Sequence, residues 1–188
     1  MPLRGPTCTL GDQRVFSLIL WVLYTGMPWT CLPVPTDREG KADIHDTTVD
    51  NVFATWADDG SIAHAVAARV GHLSEYNQLD LSILHGDGTH TVAHKGGKGM
   101  GYSDHTHPQG AKVIASIDTN GDGLAPLPVA PVNAAKTGLW PEDLQALKRV
   151  ARLTGVGLTG AYLNLDGGVD LRHNRQAIFH AGLIPTTT

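Results

Sequence analysis

The chain has 188 residues, of which 41% are hydrophobic and 17% charged, and its formal net charge is -4. These totals are typical of one globular domain, or of a small domain plus part of another, and the acidic balance argues against binding nucleic acid through overall positive charge. With only Cys8 and Cys31, the chain cannot form a disulfide framework or a Cys-rich zinc site. We therefore expect reduced thiols and a cytoplasmic protein.

The first eighty residues are predicted to form a helical N-terminal domain. The apolar run at residues 15–24 is about ten residues long, too short to cross a bilayer, so residues 11–24 are interpreted as a core helix ending near Gly26 and Pro28. A second helix is predicted over residues 43–56. A third is predicted to follow Ser61, which is a typical N-cap residue.

The pattern changes to strands near residue 81. Strands are predicted over residues 81–93, 111–117, 124–132 and 158–166, with another beginning at Leu183; the three prolines in 124–132 indicate an irregular or edge strand. Helices are predicted over residues 141–153, with Pro141 at the first helical position, and over residues 171–181. This order predicts an α/β fold, an incomplete ribonuclease H-like (RNase H-like) mixed sheet over residues 81–188, in which the first and fourth strands are neighbours.

Two predicted strands carry acids. Asp87 lies between glycines in the first strand, and Asp166 ends the fourth. Two carboxylates on neighbouring strands are what a two-metal phosphoryl-transfer site requires, so both are predicted to be catalytic and metal-binding. A third acid does not follow before Thr188, and Glu142 lies between the two aspartates in sequence.

Five segments, in this order, resemble the bacterial insertion-sequence DDE transposases of the IS-four/IS-five type. They are Leu23-Tyr24-Thr25-Gly26-Met27-Pro28-Trp29-Thr30-Cys31-Leu32-Pro33, the helical Trp56, Asp87-Gly88-Thr89, Asp166-Gly167-Gly168-Val169-Asp170, and Gly182-Leu183-Ile184-Pro185. Val169 stands where that family usually has Tyr. Asp170 is interpreted as a helix cap or surface acid.

The resemblance implies DNA transposition, with metal-dependent cleavage and strand transfer at insertion-sequence ends. It implies Mg²⁺ or Mn²⁺ as cofactor, DNA terminal repeats as partner, a homo-oligomer when intact, and no membrane association. Lys95, Lys98 and Lys112 could contact phosphates, which position DNA without reading its sequence. The family's catalytic Glu lies on a later helix, so we interpret the chain as a C-terminally truncated transposase and expect it to be poorly soluble and inactive by itself.

Two other functions remain open. One is a zinc-dependent hydrolase that uses the region of His85, His90, His94, His105 and His107. The other is a non-catalytic DNA-binding remnant. Residues 118–123 resemble half of a calcium-binding EF-hand loop, but Val129 occupies the position of the required Glu, so a β-turn is predicted there.

Overall fold

The computed structural model describes residues 10–92, 100–102, 109–168 and 170–187 of the chain. Its contacts divide the chain into two compact units, Met1–Ile62 and Ala63–Thr188. This division falls inside the third helix, whose Ala67 and Val70 belong to the core of the second unit. A domain boundary at residue 80 stays a prediction.

The first unit is built on two helices, α1 (Asp12–Thr25) and α2 (Asp46–Asp58), with a 3₁₀ turn at Trp29–Cys31 between them. One side of α1, with Val15, Ile19 and Val22, is buried, whereas Leu20, Trp21, Leu23 and Tyr24 are exposed. α1 ends at Gly26 in the left-handed conformation. α2 begins later than predicted because His45 is its cap: the His45 side chain accepts a hydrogen bond from the Thr47 backbone N–H.

The helix α3 (Ser61–Glu75) joins the two units along the chain. Ser61 was predicted to be its N-cap, but Ser61 is its first helical residue. The Asp59 carboxylate instead accepts a hydrogen bond from the Ser61 N–H at 2.9 Å.

Among its described residues, the second unit contains six strands and, besides α3, two helices. In chain order they are β1 (Ile83–Val92), β2 (Gly101–Tyr102), β3 (Gln109–Ile117), β4 (Val129–Pro131), α4 (Lys136–Thr154), β5 (Tyr162–Leu165), α5 (Arg172–His180) and β6 (Ile184–Thr187). The strands form one mixed sheet in the order β2-β3-β1-β5-β6, with β4 paired to β3. β1 is antiparallel to β3 and parallel to β5, and β5 is parallel to β6. The first and fourth predicted strands, β1 and β5, are therefore neighbours, as expected.

Two strands differ from the predictions. β2 was missed because two residues in a glycine-rich stretch show no alternation of apolar and polar side chains. β4 has only three residues instead of the nine predicted, consistent with its prolines, which cannot donate to a strand ladder.

The core of the second unit lies on one face of the sheet. The helices α3, α4 and α5 contribute buried side chains to it together with the strands; its largest fully buried members are Trp140, Leu84, Ile114, Leu124, Leu147, Leu163, Leu165, Ile178 and Leu183. α4 begins at Lys136 and not at Pro141, so Pro141 lies inside the helix.

Among the described residues, the helices include none with the length and apolar character needed to cross a membrane.

Candidate metal centre on the open face of the sheet

Asp87 and Asp166 lie next to each other in the strand register. The last residue pair of the parallel β1–β5 ladder is Gly86 with Leu165, and the two aspartates are the residues that follow on each chain. Neighbouring strands are about 4.8 Å apart. The fold therefore brings together two acids that are 79 positions apart in the sequence.

Both aspartates belong to the face of the sheet opposite the core. A Cβ at Gly86 would point at the Trp140 ring and at Leu165, so Gly86 and Leu165 face the core. Because successive residues of a strand alternate between faces, Asp87 and Asp166 take the other face. Asp87 is exposed and Asp166 is half-buried.

We call the face of the sheet opposite the core the open face. Every residue on it that flanks the aspartates is at least partly exposed. On its three central strands it comprises Ile83, His85, Asp87, Ala115, Ile117, Tyr162 and Asn164. Ile83, Tyr162 and Ile184 form one row across β1, β5 and β6 and are 41%, 48% and 40% exposed. The open face therefore carries two carboxylates and an apolar row, with His85 and Asn164 between them.

Backbone N–H groups contact both carboxylates. Asp87 Oδ1 accepts from the Gly88 N–H at 2.6 Å, and Asp166 Oδ1 accepts from the Gly168 N–H at 3.3 Å. These two bonds engage the Oδ1 oxygen of each carboxylate. Carboxylate oxygens are the ligands that Mg²⁺ prefers.

Asp170, four residues beyond Asp166, is paired with an arginine. Its carboxylate binds Arg175, with Nε at 2.5 Å and Nη2 at 2.7 Å. The guanidinium lowers the pKa of Asp170 through these hydrogen bonds. Asp170 thus forms an ion pair at the surface, in keeping with its interpretation as a surface acid.

Asp143 is a buried acid that was not singled out from the sequence. Asp143 on α4 is fully buried and accepts a hydrogen bond from the Ser116 hydroxyl of β3. Burial raises the pKa of Asp143 to about 6. The sequence signal was its position: it lies three residues after Trp140 and four before Leu147, within the stripe that faces the core.

The lysines predicted to contact DNA fall in different places. Lys95 and Lys98 lie outside the described residues. Lys112 is only 9% exposed, and its ammonium donates to the Ala134 carbonyl just before α4. DNA contact by Lys112 stays a prediction.

The alternative sites gain no support. His85 and His90 fall on opposite faces of β1 by alternation, while His94, His105 and His107 lie outside the described residues. Within the part of the chain that the structure describes, no three His, Cys, Asp or Glu side chains come together as a metal site. At the EF-hand-like segment, the Asp118 carboxylate accepts from the N–H groups of Asp80 and Asp122, and the Gly121 N–H closes a turn on the Asp118 carbonyl.

Comparison with known proteins gives distant structural likenesses only. No protein-family model and no curated protein matches the chain. Among solved structures, it is similar to the Mos1 transposase paired-end complex with left transposon end (8% identity, TM-score 0.41) and to the Mos1 mariner paired end complex with Mn (10% identity, TM-score 0.40). The matches cover 98% of this chain but only 60% and 61% of those chains. At such identity and TM-scores, the function has to be argued from the residues of this chain.

Proposed function

We propose that this chain is part of a DNA transposase of the bacterial insertion-sequence type, and that Asp87 and Asp166 are its metal-binding acids. Residues 81–188 would then be the first part of an RNase H-like catalytic domain, preceded by a helical domain over residues 1–80. The strand order supports this interpretation, because an antiparallel meander is followed by parallel strands that place β5 beside β1. The observation that carries the proposal is the adjacent register of Asp87 and Asp166 on one open face.

The donor set fits a hard divalent cation. Two carboxylates on adjacent strands supply oxygen ligands of the kind that Mg²⁺ and Mn²⁺ bind. Asn164 lies on the same face, one row before Asp166, and its amide could hydrogen-bond water at the site. When bound, a metal pair activates the attacking oxygen and stabilises the leaving oxygen of a phosphodiester.

The protein's own contribution is to hold its acids rigidly. β1 is the central strand of the sheet, and it is paired on both sides at the level of Gly86, with Ser116 and with Leu165. Asp87 is itself paired with Ala115 of β3 and directly follows the last pair of the β1–β5 ladder. An acid held in this way loses little freedom when it binds a cation.

The proposal includes a third acid outside these 188 residues. Glu142, on α4, is exposed, and α4 packs on the core side of the sheet, opposite the aspartates. With two fixed carboxylates the chain should bind metal weakly and should not cleave DNA. Oligomerisation and contact with insertion-sequence ends are part of the same proposal, with Lys95, Lys98 and Lys112 as phosphate contacts.

Metal binding tests the proposal directly. We expect Mn²⁺ titration, followed by electron paramagnetic resonance of the free ion, to show weak binding that Asp87→Asn and Asp166→Asn each weaken by about tenfold or more. Asp50→Asn, which changes an exposed acid on α2, is the matched control and should bind like the wild type. Equal Mn²⁺ affinity in all four proteins would overturn the site and favour a non-catalytic DNA-binding remnant.

A further inference from the structure

Three cations lie on two adjacent turns of α4 and form a surface that we call the basic stripe, defined by Lys148, Arg149 and Arg152. On a helix with 3.6 residues per turn, these positions fall within about 100° of one another. Arg149 and Arg152 are exposed and Lys148 is half-buried. Arg152 Nε donates a hydrogen bond to the Lys148 carbonyl at 3.2 Å, which holds the Arg152 side chain against the turn that carries Lys148.

The basic stripe is not neutralised by acids of the chain. None of the residues three or four positions away from its members is acidic. Among the described residues, no ion pair includes a member of the stripe. The stripe is therefore a local concentration of positive charge in a chain whose formal net charge is -4.

The stripe works against the stability of its own helix. Like charges four residues apart destabilise a helix, and Lys148 and Arg152 have this spacing. The helix dipole favours cations only in the last turn, and α4 ends at Thr154. The dipole thus explains Arg152 but not Lys148 or Arg149, whereas an anionic partner would offset the repulsion of all three.

A groove lies beside the stripe, where α4 leads into the chain before β5. It has a volume of about 450 Å³ and is lined by Lys148, Arg152 and residues 155–159, and its described lining residues include no acid. A Cβ built at Gly155 or at Gly157 would meet nothing within 4 Å. An anionic group could therefore approach the backbone closely between these glycines and the two cations.

The chemistry of the groove fits the DNA backbone better than a protein partner. Phosphates are contacted by Lys and Arg and by polar side chains such as those of Gln and Thr, and Gln145 and Thr159 line this groove. Protein interfaces are typically anchored by aromatic side chains, and the described lining residues include none. A row of cations along one helix is the electrostatic pattern expected of a nucleic-acid contact.

We infer that the basic stripe and its groove bind the phosphate backbone of DNA. The inference rests on the proposed function for the identity of the partner. α4 packs on the core side of the sheet, so this surface lies on the side opposite Asp87 and Asp166. Because its contacts reach phosphates and not bases, the stripe strengthens DNA binding without selecting a sequence.

Filter binding of the 188-residue chain to two short DNA duplexes of unrelated sequence, at several salt concentrations, tests the stripe. Each phosphate contact contributes about -0.9 to the slope of log affinity against log salt concentration. We therefore expect Lys148→Gln, Arg149→Gln and Arg152→Gln each to reduce the magnitude of the slope by about 0.9, equally for both duplexes.

The contribution of the stripe adds to that of the predicted lysine contacts. The triple variant should therefore lose about three contacts, or about 2.7 in slope, and keep the part of the slope that comes from Lys95, Lys98 and Lys112.

Two further variants serve as controls. Arg172→Gln removes the same charge from an exposed position on α5 and should leave the slope unchanged. Lys148→Glu separates DNA binding from helix stability, because a carboxylate four residues before Arg152 stabilises a helix. Its melting temperature should rise while its DNA affinity falls below that of Lys148→Gln.

The possible outcomes distinguish this inference from the proposed function. If the wild type binds DNA in a salt-dependent way and the three Gln variants behave like Arg172→Gln, the DNA partner stands and the stripe is not its contact surface. If the wild type binds neither duplex, the DNA partner and this inference fail together. If Lys148→Glu loses melting temperature along with affinity, the loss reflects damage to α4 and the inference is wrong. It is also wrong if DNA binding is unchanged while the stripe variants alter the sedimentation of the chain, since the stripe would then bind a second copy of this acidic protein.

Discussion

The indole ring of Trp140 occupies the space in which Gly86 would carry a side chain. A Cβ built at Gly86 would lie 2.6 and 2.8 Å from two ring carbons of Trp140 and 3.2 Å from Leu165 Cδ2. The glycine thus allows α4 to pack directly beneath the residue that precedes Asp87. Through this contact, the core residue Trp140 packs against the residue of β1 that directly precedes Asp87 on the open face.

Gly86→Ala should destabilise the protein. An added methyl group in a packed core typically costs 1–3 kcal/mol, and here it meets an aromatic ring that is fully buried. The free energy of unfolding should fall by about 2 kcal/mol in urea denaturation, at the middle of that range. Gly157→Ala, where a Cβ would meet nothing within 4 Å, is the matched control.

A double variant checks the cause of this loss. Trp140→Phe removes the outer ring atoms that the methyl group would meet, so Gly86→Ala should cost less in the Trp140→Phe background than in the wild type. Strict additivity of the two substitutions would show that Trp140 is not what excludes a side chain at position 86.

Asp143 should make stability depend on pH between about 4 and 6. Burial raises its pKa from the ordinary 3.8 to about 6, so the folded protein binds a proton that the unfolded chain releases. This contribution is fully present below pH 3.8, and it is lost as pH rises through about 6. The difference between the two pKa values corresponds to roughly 3 kcal/mol.

Asp143→Asn removes that proton linkage while keeping an acceptor for the Ser116 hydroxyl. Chemical denaturation from pH 4 to 7 should show a falling stability component in the wild type that is absent from Asp143→Asn. Glu142→Gln, at the exposed neighbouring position, should keep the wild-type profile. Parallel profiles for wild type and Asp143→Asn would contradict the assignment of the titration to Asp143.

DNA binding should be weak and should depend steeply on salt. Each phosphate contact contributes a slope of about -0.9 in a plot of log affinity against log salt concentration. With two or three lysine contacts the slope should be about -2 to -3. Lys95→Gln and Lys98→Gln should each reduce the magnitude of the slope by the value of about one contact. Filter binding at several salt concentrations measures the slope. An affinity that does not depend on salt would contradict the DNA proposal.

Lys112→Met should behave differently from these two substitutions. Methionine keeps the apolar stem but leaves the Ala134 carbonyl without the ammonium donor, which typically costs 1–3 kcal/mol. We expect a lower melting temperature and a change in salt slope smaller than one full contact, because Lys112 is 9% exposed. A full loss of one contact with unchanged melting temperature would show that Lys112 serves DNA and not the start of α4.

Local signals in the sequence determined most elements of this protein. The apolar stripes of α1 and α2, the alternation in β1 and the glycines that close α1 and α5 act within a few residues, so they can be read along the chain. The predicted boundaries of α4 and β4 were wrong because residues distant in sequence decide them. α4 begins at Lys136, upstream of Pro141, and β4 has only three residues. β2 exists only because Gly101 and Tyr102 pair with Gly110 and Gln109 of β3.

Asp87 and Asp166 could be chosen from the sequence because each ends or interrupts an apolar run, but their adjacency depends on β5 pairing with β1 across 79 positions. The sequence likewise contains Asp143, Asp170 and Arg175 without showing that one acid is buried and the other neutralised. Burial and ion pairing depend on which elements pack together, and this is a property of the tertiary structure alone. Residue types and their local periodicity therefore determined where the strands lie and which acids they carry. Only the folded sheet decided which acids share a face, because side chains far apart in sequence meet only through strand register.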